Sequence, residues 1–125
     1  MESIVTFLLT KSPEAALKFY RDILGLRFLQ DDEFALVFDS NGVMLRIGKM
    51  QAFTPAQHTV LGWESNDIGA TISALQQKGV TFEHYPKMHP DGQGICTFPN
   101  GDRVAWFKDP DGNVLSISQH TLVRA

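Results

Sequence analysis

The chain repeats its own pattern, and this repeat constrains the fold more than any other feature. When the 125-residue sequence is shifted by 70 residues, FALVFDSNGVMLRI (34–47) falls on VAWFKDPDGNVLSI (104–117). A looser match at a shift of 54 aligns LGLRF (24–28) with KGVTF (78–82). The first alignment contains these identical pairs: Ala35/Ala105, Asp39/Asp109, Gly42/Gly112, Leu45/Leu115 and Ile47/Ile117. A repeat of this kind predicts two copies of one supersecondary unit.

The first half reads as β-α-β-β-β. A short β-branched, apolar run over 3–10 predicts a buried strand. Ser12 as N-cap and Pro13 at the first helical position then begin a helix that runs to about Leu24 and ends at Gly25. The three strands that follow are predicted near 26–30, 34–39 and 43–48.

The second half has the same order. It opens with a strand near 57–64, followed by a helix that is capped by Asn66 or Asp67 and runs to Lys78. Further strands are predicted near 80–84, 94–98, 103–108 and 113–119. We therefore expect one domain over residues 1–125, with module 1 at about 1–52 and module 2 at about 55–121.

Two turns predict the strand register. Asp109-Pro110-Asp111-Gly112 is typical of a type I turn with a bulge, and Asn100-Gly101 of a two-residue hairpin. This register places Trp106 opposite Ser116. One face then carries Ile95, Thr97, Val104, Trp106, Val114 and Ser116, and the other carries Cys96, Phe98, Ala105, Phe107, Leu115 and Ile117. The same pairing in the first half places Phe34, Leu36, Met44 and Arg46 on the face equivalent to that of Trp106. Both faces are apolar, so each must be covered, one of them by the helix.

Composition excludes several classes of protein. Hydrophobic residues make up 43% and charged residues 20% of the chain, which is ordinary for a globular domain. The single cysteine, Cys96, can form neither an internal disulfide nor a thiolate metal cluster. A net charge of -3 without a basic stripe argues against nucleic acid. The N-terminus MESIVTFLLT lacks the positive charge of a signal peptide, and no apolar run could span a bilayer. We expect a cytoplasmic protein with no nucleic-acid or membrane partner.

FYRDILGLRF (19–28) and WFKDPDGNVLSI (106–117), set in this tandem order, resemble the vicinal oxygen chelate superfamily. This superfamily includes glyoxalase I, the bleomycin resistance proteins and the extradiol dioxygenases. The resemblance implies an α+β fold, the glyoxalase/bleomycin-resistance fold, in which two tandem βαβββ modules form a curved, half-barrel mixed sheet. Helices then lie on the convex face and a ligand cleft on the concave face. It also implies a homodimer in which two chains complete each other's clefts.

The resemblance also implies where metal ligands would stand. In metal-using members, a His, Gln or Glu lies on the first strand of a module and a Glu on its last. These positions correspond here to Val5 and Val60 on the first strands, and to Arg46 and Ser116 on the last. Valine cannot ligate, serine is a poor neutral ligand, and arginine is a permanent cation that repels a metal. We therefore expect no metal and no cofactor, and the sequence leaves open whether the chain is an enzyme.

A set of candidate ligand-binding residues lies on the predicted concave face. Arg46 is the one charge there, so it anchors an acidic group of a ligand, pairs with an acidic residue such as Glu64 or Asp39, or is simply exposed at the sheet edge. The aromatic residues could stack on a flat ligand or belong to the core, and His58 shares the strand face of Val60. The full set is Phe7, Phe34, Leu36, Met44, Arg46, His58, Thr97, Trp106 and Ser116.

Three functions follow as hypotheses. The leading one is a metal-free protein that binds an apolar or aromatic small molecule, with or without an acidic group, in a dimer-completed cleft. The second is a metal-dependent lyase, isomerase or dioxygenase with an unconventional ligand set, such as His58 with His84 or His89. The third is an interaction module whose concave surface serves only to dimerise. The loop over 84–94 is interpreted either as a solvated loop or as a lid over the cleft.

Overall fold

The computed structural model describes residues 1–122 and divides the chain into two compact units. The first consists of Met1–Ala56 with Asp109–Asn113, and the second of Gln57–Lys108 with 114–122. Each unit contains a four-stranded mixed sheet with the same strand order, which confirms the predicted repeat. No helix in the described part of the chain is long and apolar enough to cross a membrane.

The first unit follows the predicted order. Its elements are β1 (Val5–Thr10), α1 (Pro13–Lys18), a π-helical turn (Phe19–Ile23), β2 (Arg27–Asp31), β3 (Ala35–Ser40) and β4 (Val43–Lys49). The sheet order is β1-β4-β3-β2, in which β1 runs parallel to β4 and the other neighbours are antiparallel.

The first helical segment begins and ends near the predicted residues. Pro13 occupies the first helical turn, although the Ser12 side chain makes no capping hydrogen bond. Gly25 adopts a φ of +73° and ends the segment, with the Leu26 N–H donating to the Tyr20 carbonyl at 2.9 Å. Ala16, Phe19 and Tyr20 are buried, and the Tyr20 ring lies 5.9 Å from the Phe38 ring of β3. This contact places the helical segment on one side of the first sheet.

The second unit contains β5 (Thr59–Glu64), α2 (Ile68–Gln77), β6 (Cys96–Thr97), β7 (Arg103–Lys108) and β8 (Val114–Gln119). Its sheet order is β5-β8-β7-β6. Asp67 caps α2 by accepting from the Ala70 N–H at 3.1 Å. The predicted strand at 80–84 is wrong, because only one bridge, between Phe82 and Phe107, forms there. The loop that follows contains a 3-10 turn at Pro86–Met88.

The register of the first sheet differs from the prediction by one residue. The β3–β4 connection is a two-residue turn at Asn41-Gly42, with φ values of 49° and 91°, and it pairs Ser40 with Val43. Val37 therefore lies opposite Arg46, and Leu36 pairs with Ile47 on the helix side. Leu36 was therefore predicted on the wrong face, and it is 1% exposed. Phe34 was also predicted on the wrong face: its neighbour Ala35 shares the face of Arg46, so Phe34 points the other way, and it is 73% exposed.

The register of the second sheet is confirmed in part. Trp106 pairs with Ser116, as predicted. Thr97, however, pairs with Arg103 and Cys96 with Val104, so these two residues exchange faces relative to the prediction. A two-residue hairpin at Asn100-Gly101 would need an N–H from Pro99, which has none. The Phe98 N–H bonds to the Asp102 carbonyl instead, which lengthens the loop by one residue on that side.

Candidate functional site

One surface with binding potential is the side of the first sheet opposite its helix, here called the Arg46 face. Cross-strand pairing places Phe7, Arg46 and Val37 side by side on it. Phe7 is 69% exposed, and Met44, two residues before Arg46 in β4 and on the same face, is also exposed. Val5 and Leu9 lie two residues before and two residues after Phe7 in β1, so they share its face and add further exposed apolar side chains. This face therefore presents a cation among apolar groups.

Arg46 itself is half-buried, and it forms no ion pair within residues 1–122. Asp39, one of its two predicted partners, accepts a long hydrogen bond of 3.4 Å from the Gly42 N–H instead. The pKa of the Asp32 carboxyl is lowered mainly by hydrogen bonds from the backbone N–H groups of Phe34 and Ala35, with a smaller contribution from the charge of Arg46. The guanidinium thus keeps its capacity to bind an anion.

A second surface lies on the face of the second sheet that carries Trp106 and Ser116, here called the Trp106 face. A pocket of about 310 Å³ opens there. Trp106 Nε1 donates to Thr59 Oγ1 at 2.9 Å, and the Tyr85 ring meets the indole edge-on at 5.7 Å. The pocket is lined by Gln57, His58, Thr59, Tyr85, Met88, Trp106 and Val114. Because Tyr85 and Met88 belong to the 84–94 loop, part of this loop lies against the Trp106 face, as the lid interpretation requires.

The residues at the expected metal-ligand positions do not fit a metal ion. In the observed register, Ser116 lies directly opposite Gly62, and Arg46 lies opposite Phe7. Neither glycine nor phenylalanine offers a donor atom from its side chain. Within residues 1–122, no three His, Cys, Asp or Glu side chains are grouped closely enough to hold a metal. The donor set of this chain thus differs from that of the metal-using members of the superfamily.

The motifs that carry the family resemblance meet in the structure, where they form a buried hydrogen-bond network. The Tyr20 hydroxyl donates to Asp109 Oδ2 at 2.6 Å. The same carboxylate accepts from the backbone N–H groups of Asp111 and Asn113, both at 2.9 Å, and from Asn113 Nδ2 at 2.8 Å. Burial raises the pKa of Tyr20, and the Asp109 charge raises it further, so the phenol stays protonated. These residues hold the first unit together and are not exposed to a ligand.

Asp111 extends this network to β1. Its carboxylate accepts from the Thr10 hydroxyl and from the Lys11 N–H, the latter at 3.0 Å. Asn113 Nδ2 also donates to the Leu9 carbonyl at 3.0 Å. Asp109, Asp111 and Asn113 are all less than 8% exposed. The turn motif therefore has a structural role in this chain.

A larger pocket of about 470 Å³ lies where β7 begins and β8 ends. It is lined by Glu64, Asn100, Asp102, His120, Thr121 and Leu122. Asp102 accepts from the Thr121 N–H at 2.9 Å and contacts His120 Nδ1 at 3.0 Å. These two hydrogen bonds lower the pKa of Asp102 to about 2, and the bond from the Thr121 N–H contributes most. The carboxyl group is ionised at every physiological pH.

This depressed pKa predicts a specific acid sensitivity. An unfolded aspartate has a pKa of about 3.9, so between about pH 4 and pH 2 the unfolded chain binds a proton here that the folded chain does not. The contribution of Asp102 to stability is therefore complete above about pH 4 and is lost as the pH falls through 2. The free energy of unfolding, measured with urea, should fall less between pH 5 and pH 2.5 in Asp102→Asn than in the wild type. Titration of the carboxyl group near pH 4 by NMR would contradict this.

The structure separates the predicted site residues into three groups. Phe7, Met44 and Arg46 lie on the Arg46 face, and His58, Trp106 and Ser116 on or beside the Trp106 face. The remaining three, Phe34, Leu36 and Thr97, lie elsewhere. Sequence reasoning did not identify Thr59, Tyr85 and Met88 as pocket residues. Tyr85 could have been found from the sequence, because it is an aromatic residue before Pro86 in a loop that is too long for a simple connection.

Comparison with known proteins identifies relatives over nearly the whole chain. The family model of the Glyoxalase/Bleomycin resistance protein/Dioxygenase superfamily matches residues 3–117. A comparison with curated proteins gave no match. Among solved structures, TnmS3, an antibiotic binding protein from Streptomyces sp. CB03234, is 25% identical with a TM-score of 0.73, over 97% of each chain.

Two further structures share the fold at lower identity. Lactoylglutathione lyase from Agrobacterium tumefaciens is 18% identical with a TM-score of 0.72, over 95% of this chain and 94% of that one. A superfamily member from Sphaerobacter thermophilus DSM 20745 is 22% identical with a TM-score of 0.75, over 96% and 98%. These findings confirm the predicted resemblance and the α+β fold class. Since the family model spans nearly all of its 125 residues, the chain belongs to the glyoxalase/bleomycin resistance protein/dioxygenase superfamily.

Proposed function

We propose that this chain is a metal-independent small-molecule-binding protein that takes an apolar or aromatic ligand. The observation that carries the proposal is the aromatic pocket on the Trp106 face. The two valines, the arginine and the serine at the expected metal positions also do not suit a metal ion. Trp106 is held by its hydrogen bond to Thr59, and Tyr85 stands edge-on to it, so a flat ligand would meet a fixed indole. The likeness to an antibiotic binding protein at 25% identity supports the binding of a small molecule.

Arg46 supplies a second element of recognition. A half-buried guanidinium without an ion pair in residues 1–122 can bind a carboxylate through two parallel hydrogen bonds. We infer that the Arg46 face of the first unit itself takes a ligand with an acidic group. Arg46→Met keeps the length and apolar stem of the side chain but removes the charge. It should weaken the binding of aromatic carboxylates and leave the binding of their neutral amides unchanged.

The exposed apolar residues of the Arg46 face support a homodimer that completes the binding cleft. Phe7 at 69% exposure, with Val5, Leu9 and Met44 beside it, forms an apolar surface of the kind that marks an interface. Phe7→Glu should then shift the sedimentation coefficient from that of a dimer to that of a monomer. A wild-type chain that sediments as a monomer at micromolar concentration would contradict the dimer.

Binding can be measured directly through Trp106. The chain has two tryptophans, and Trp63 lies on the other face of the second sheet, opposite Ile117. In a Trp63→Phe variant the fluorescence therefore reports on Trp106 alone. Flat aromatic ligands such as naphthoic acid and its amide should quench this emission. A ligand at 100 times its Kd should add about 2.7 kcal/mol to the free energy of unfolding.

The metal-independent part of the proposal has its own test. Dialysis against EDTA should leave both the thermal midpoint and the quenching of Trp106 unchanged. Trp106→Ala removes this reporter, so its binding is measured by the thermal midpoint: the ligand should no longer raise the midpoint, while circular dichroism shows that the fold is retained. Stoichiometric divalent metal in protein purified without a histidine tag, lost on replacing His58, would instead favour the metal-dependent enzyme. If no compound in a broad ligand panel raises the thermal midpoint, the interaction module whose concave surface serves only to dimerise is favoured.

A further inference from the structure

The second unit holds a serine, a histidine and an aspartate in series, outside the pocket on the Trp106 face. The antiparallel pairing of β7 with β8 ends at Arg103 and Gln119, so Asp102 and His120 are the next residues outward. His120 Nδ1 lies 3.0 Å from Asp102 Oδ2. His120 Nε2 lies 2.8 Å from Ser118 Oγ, two residues earlier along β8 and on the same face. The three side chains thus form one continuous hydrogen-bonded chain.

The direction of the protons in this chain follows from the chemistry of the partners. An ionised aspartate can only accept hydrogen bonds, so His120 Nδ1 must carry the proton it shares with Asp102. In the neutral imidazole, Nε2 then has a free lone pair and accepts from the Ser118 hydroxyl. This is the tautomer in which a histidine can take a proton from serine.

Asp102 is positioned independently of His120. Its Oδ1 accepts from the backbone N–H of Thr121 at 2.9 Å and from the Thr121 hydroxyl at 3.2 Å. Its own backbone N–H donates to Asn100 Oδ1 at 2.9 Å. The carboxylate is therefore fixed before it meets the imidazole, as an orienting group must be.

We propose that Ser118, His120 and Asp102 form a hydrolytic site for small carboxylic esters. His120 lines the pocket of about 470 Å³ with its side chain 40% exposed, and half-buried Ser118 lies beside it, so a substrate in this pocket would approach the imidazole that holds the Ser118 hydroxyl. Leu122 adds an apolar wall to this pocket. Glu64, which pairs with Ser118 across the strands, also lines the pocket.

The reaction needs only an ester and water. Ser118 Oγ attacks the carbonyl carbon while its proton passes to His120 Nε2, and an oxygen–carbon bond forms. When the tetrahedral intermediate collapses, the bond to the leaving alcohol breaks, and the proton on His120 goes to the alcohol oxygen. Water then attacks the acyl group, gives one proton to His120, and releases the acid as that proton returns to Ser118. Asp102 is a positioning residue that touches neither substrate nor leaving group.

The test uses the full chain with a fluorophosphonate probe and with p-nitrophenyl acetate. We expect one phosphonyl adduct, located on Ser118 by peptide mass mapping, and its absence in Ser118→Ala. His120→Gln should lower the rate of ester hydrolysis by about 10²–10⁴-fold. Asp102→Asn should lower kcat and change its dependence on pH, whereas a loss of folded protein would lower the apparent kcat by the same factor at every pH. Thermal melts establish that each variant is folded.

Surface groups can also react with activated esters, so matched controls are needed. Ser3→Ala and Ser73→Ala replace two exposed serines outside this site. These variants should keep the full rate and the adduct. An adduct on any other residue, no adduct on folded wild type, or an undiminished rate in folded Ser118→Ala would overturn the proposal.

Discussion

Asp109→Ala should lower the free energy of unfolding by about 3–5 kcal/mol, the largest stability effect we expect of a single substitution in this chain. The Asp109 carboxylate accepts four hydrogen bonds, from Tyr20, Asn113 Nδ2 and the backbone N–H groups of Asp111 and Asn113. It is only 6% exposed, so water cannot replace it without rearrangement. Alanine would leave several buried donors without an acceptor, and each unsatisfied donor costs about 1–3 kcal/mol.

The internal repeat supplies a matched control for this prediction. Asp39 is the aligned residue of the first half, and its carboxylate accepts one long hydrogen bond of 3.4 Å from Gly42. Asp39→Ala should therefore change stability by less than about 1 kcal/mol. Urea unfolding followed by circular dichroism gives both values, provided that the slope with denaturant stays constant. Equal effects at the two aspartates would show that the Tyr20 network does not stabilise the fold.

The order of the elements could be predicted from the sequence because local signals determine it. Pro13 at a helix start, Gly25 and Gly79 at helix ends, and the apolar strand runs all act over a few residues. The pairing of Trp106 with Ser116 was also predictable. Pro110 favours a type I turn and Gly112, at φ 89°, provides the bulge, so the turn itself specifies the register.

The faces of β3 and β6 could not be predicted in the same way, since one residue in a turn reverses every side chain of a strand. The dipeptide Asn-Gly occurs in both turns and behaves differently. Asn41-Gly42 closes a two-residue hairpin with positive φ at both positions. At Asn100-Gly101 only the glycine has positive φ, and Phe98 closes the loop because Pro99 lacks an N–H. These two turns account for the errors at Leu36 and Thr97.

The candidate sites depend on long-range pairing, which sequence spacing does not show. Asp102 and His120 are 18 residues apart and meet only because β7 and β8 pair to their ends. Tyr85 reaches Trp106 through a loop without regular strand structure. Arg46 and Phe7, in contrast, lie on strands whose faces follow from simple alternation, and their placement was predicted.

Gly62→Ala should lower the free energy of unfolding by about 1–3 kcal/mol, although alanine usually stabilises a strand relative to glycine. Gly62 lies directly opposite Ser116, which is 8% exposed. A Cβ at position 62 would overlap Ser116 Oγ and would lie 3.3 Å from the Ser116 carbonyl oxygen. The hydroxyl can rotate away only within a buried space, so part of the overlap must be relieved by a shift of β5 against β8.

Ser116→Ala tests this explanation, because it removes the overlapping oxygen while its Cβ, at 3.6 Å, makes an ordinary contact. The double variant should therefore recover about 1 kcal/mol relative to the sum of the two single changes. Gly48→Ala is the control in the first sheet, where the new Cβ meets only the flexible end of Leu9, at 3.2 Å, and a backbone oxygen at 3.8 Å. It should change stability by less than about 1 kcal/mol. If the two substitutions at 62 and 116 were simply additive, the cost at Gly62 would have to arise from the backbone. The close approach of β5 to Ser116 would then not be what requires a glycine at this position.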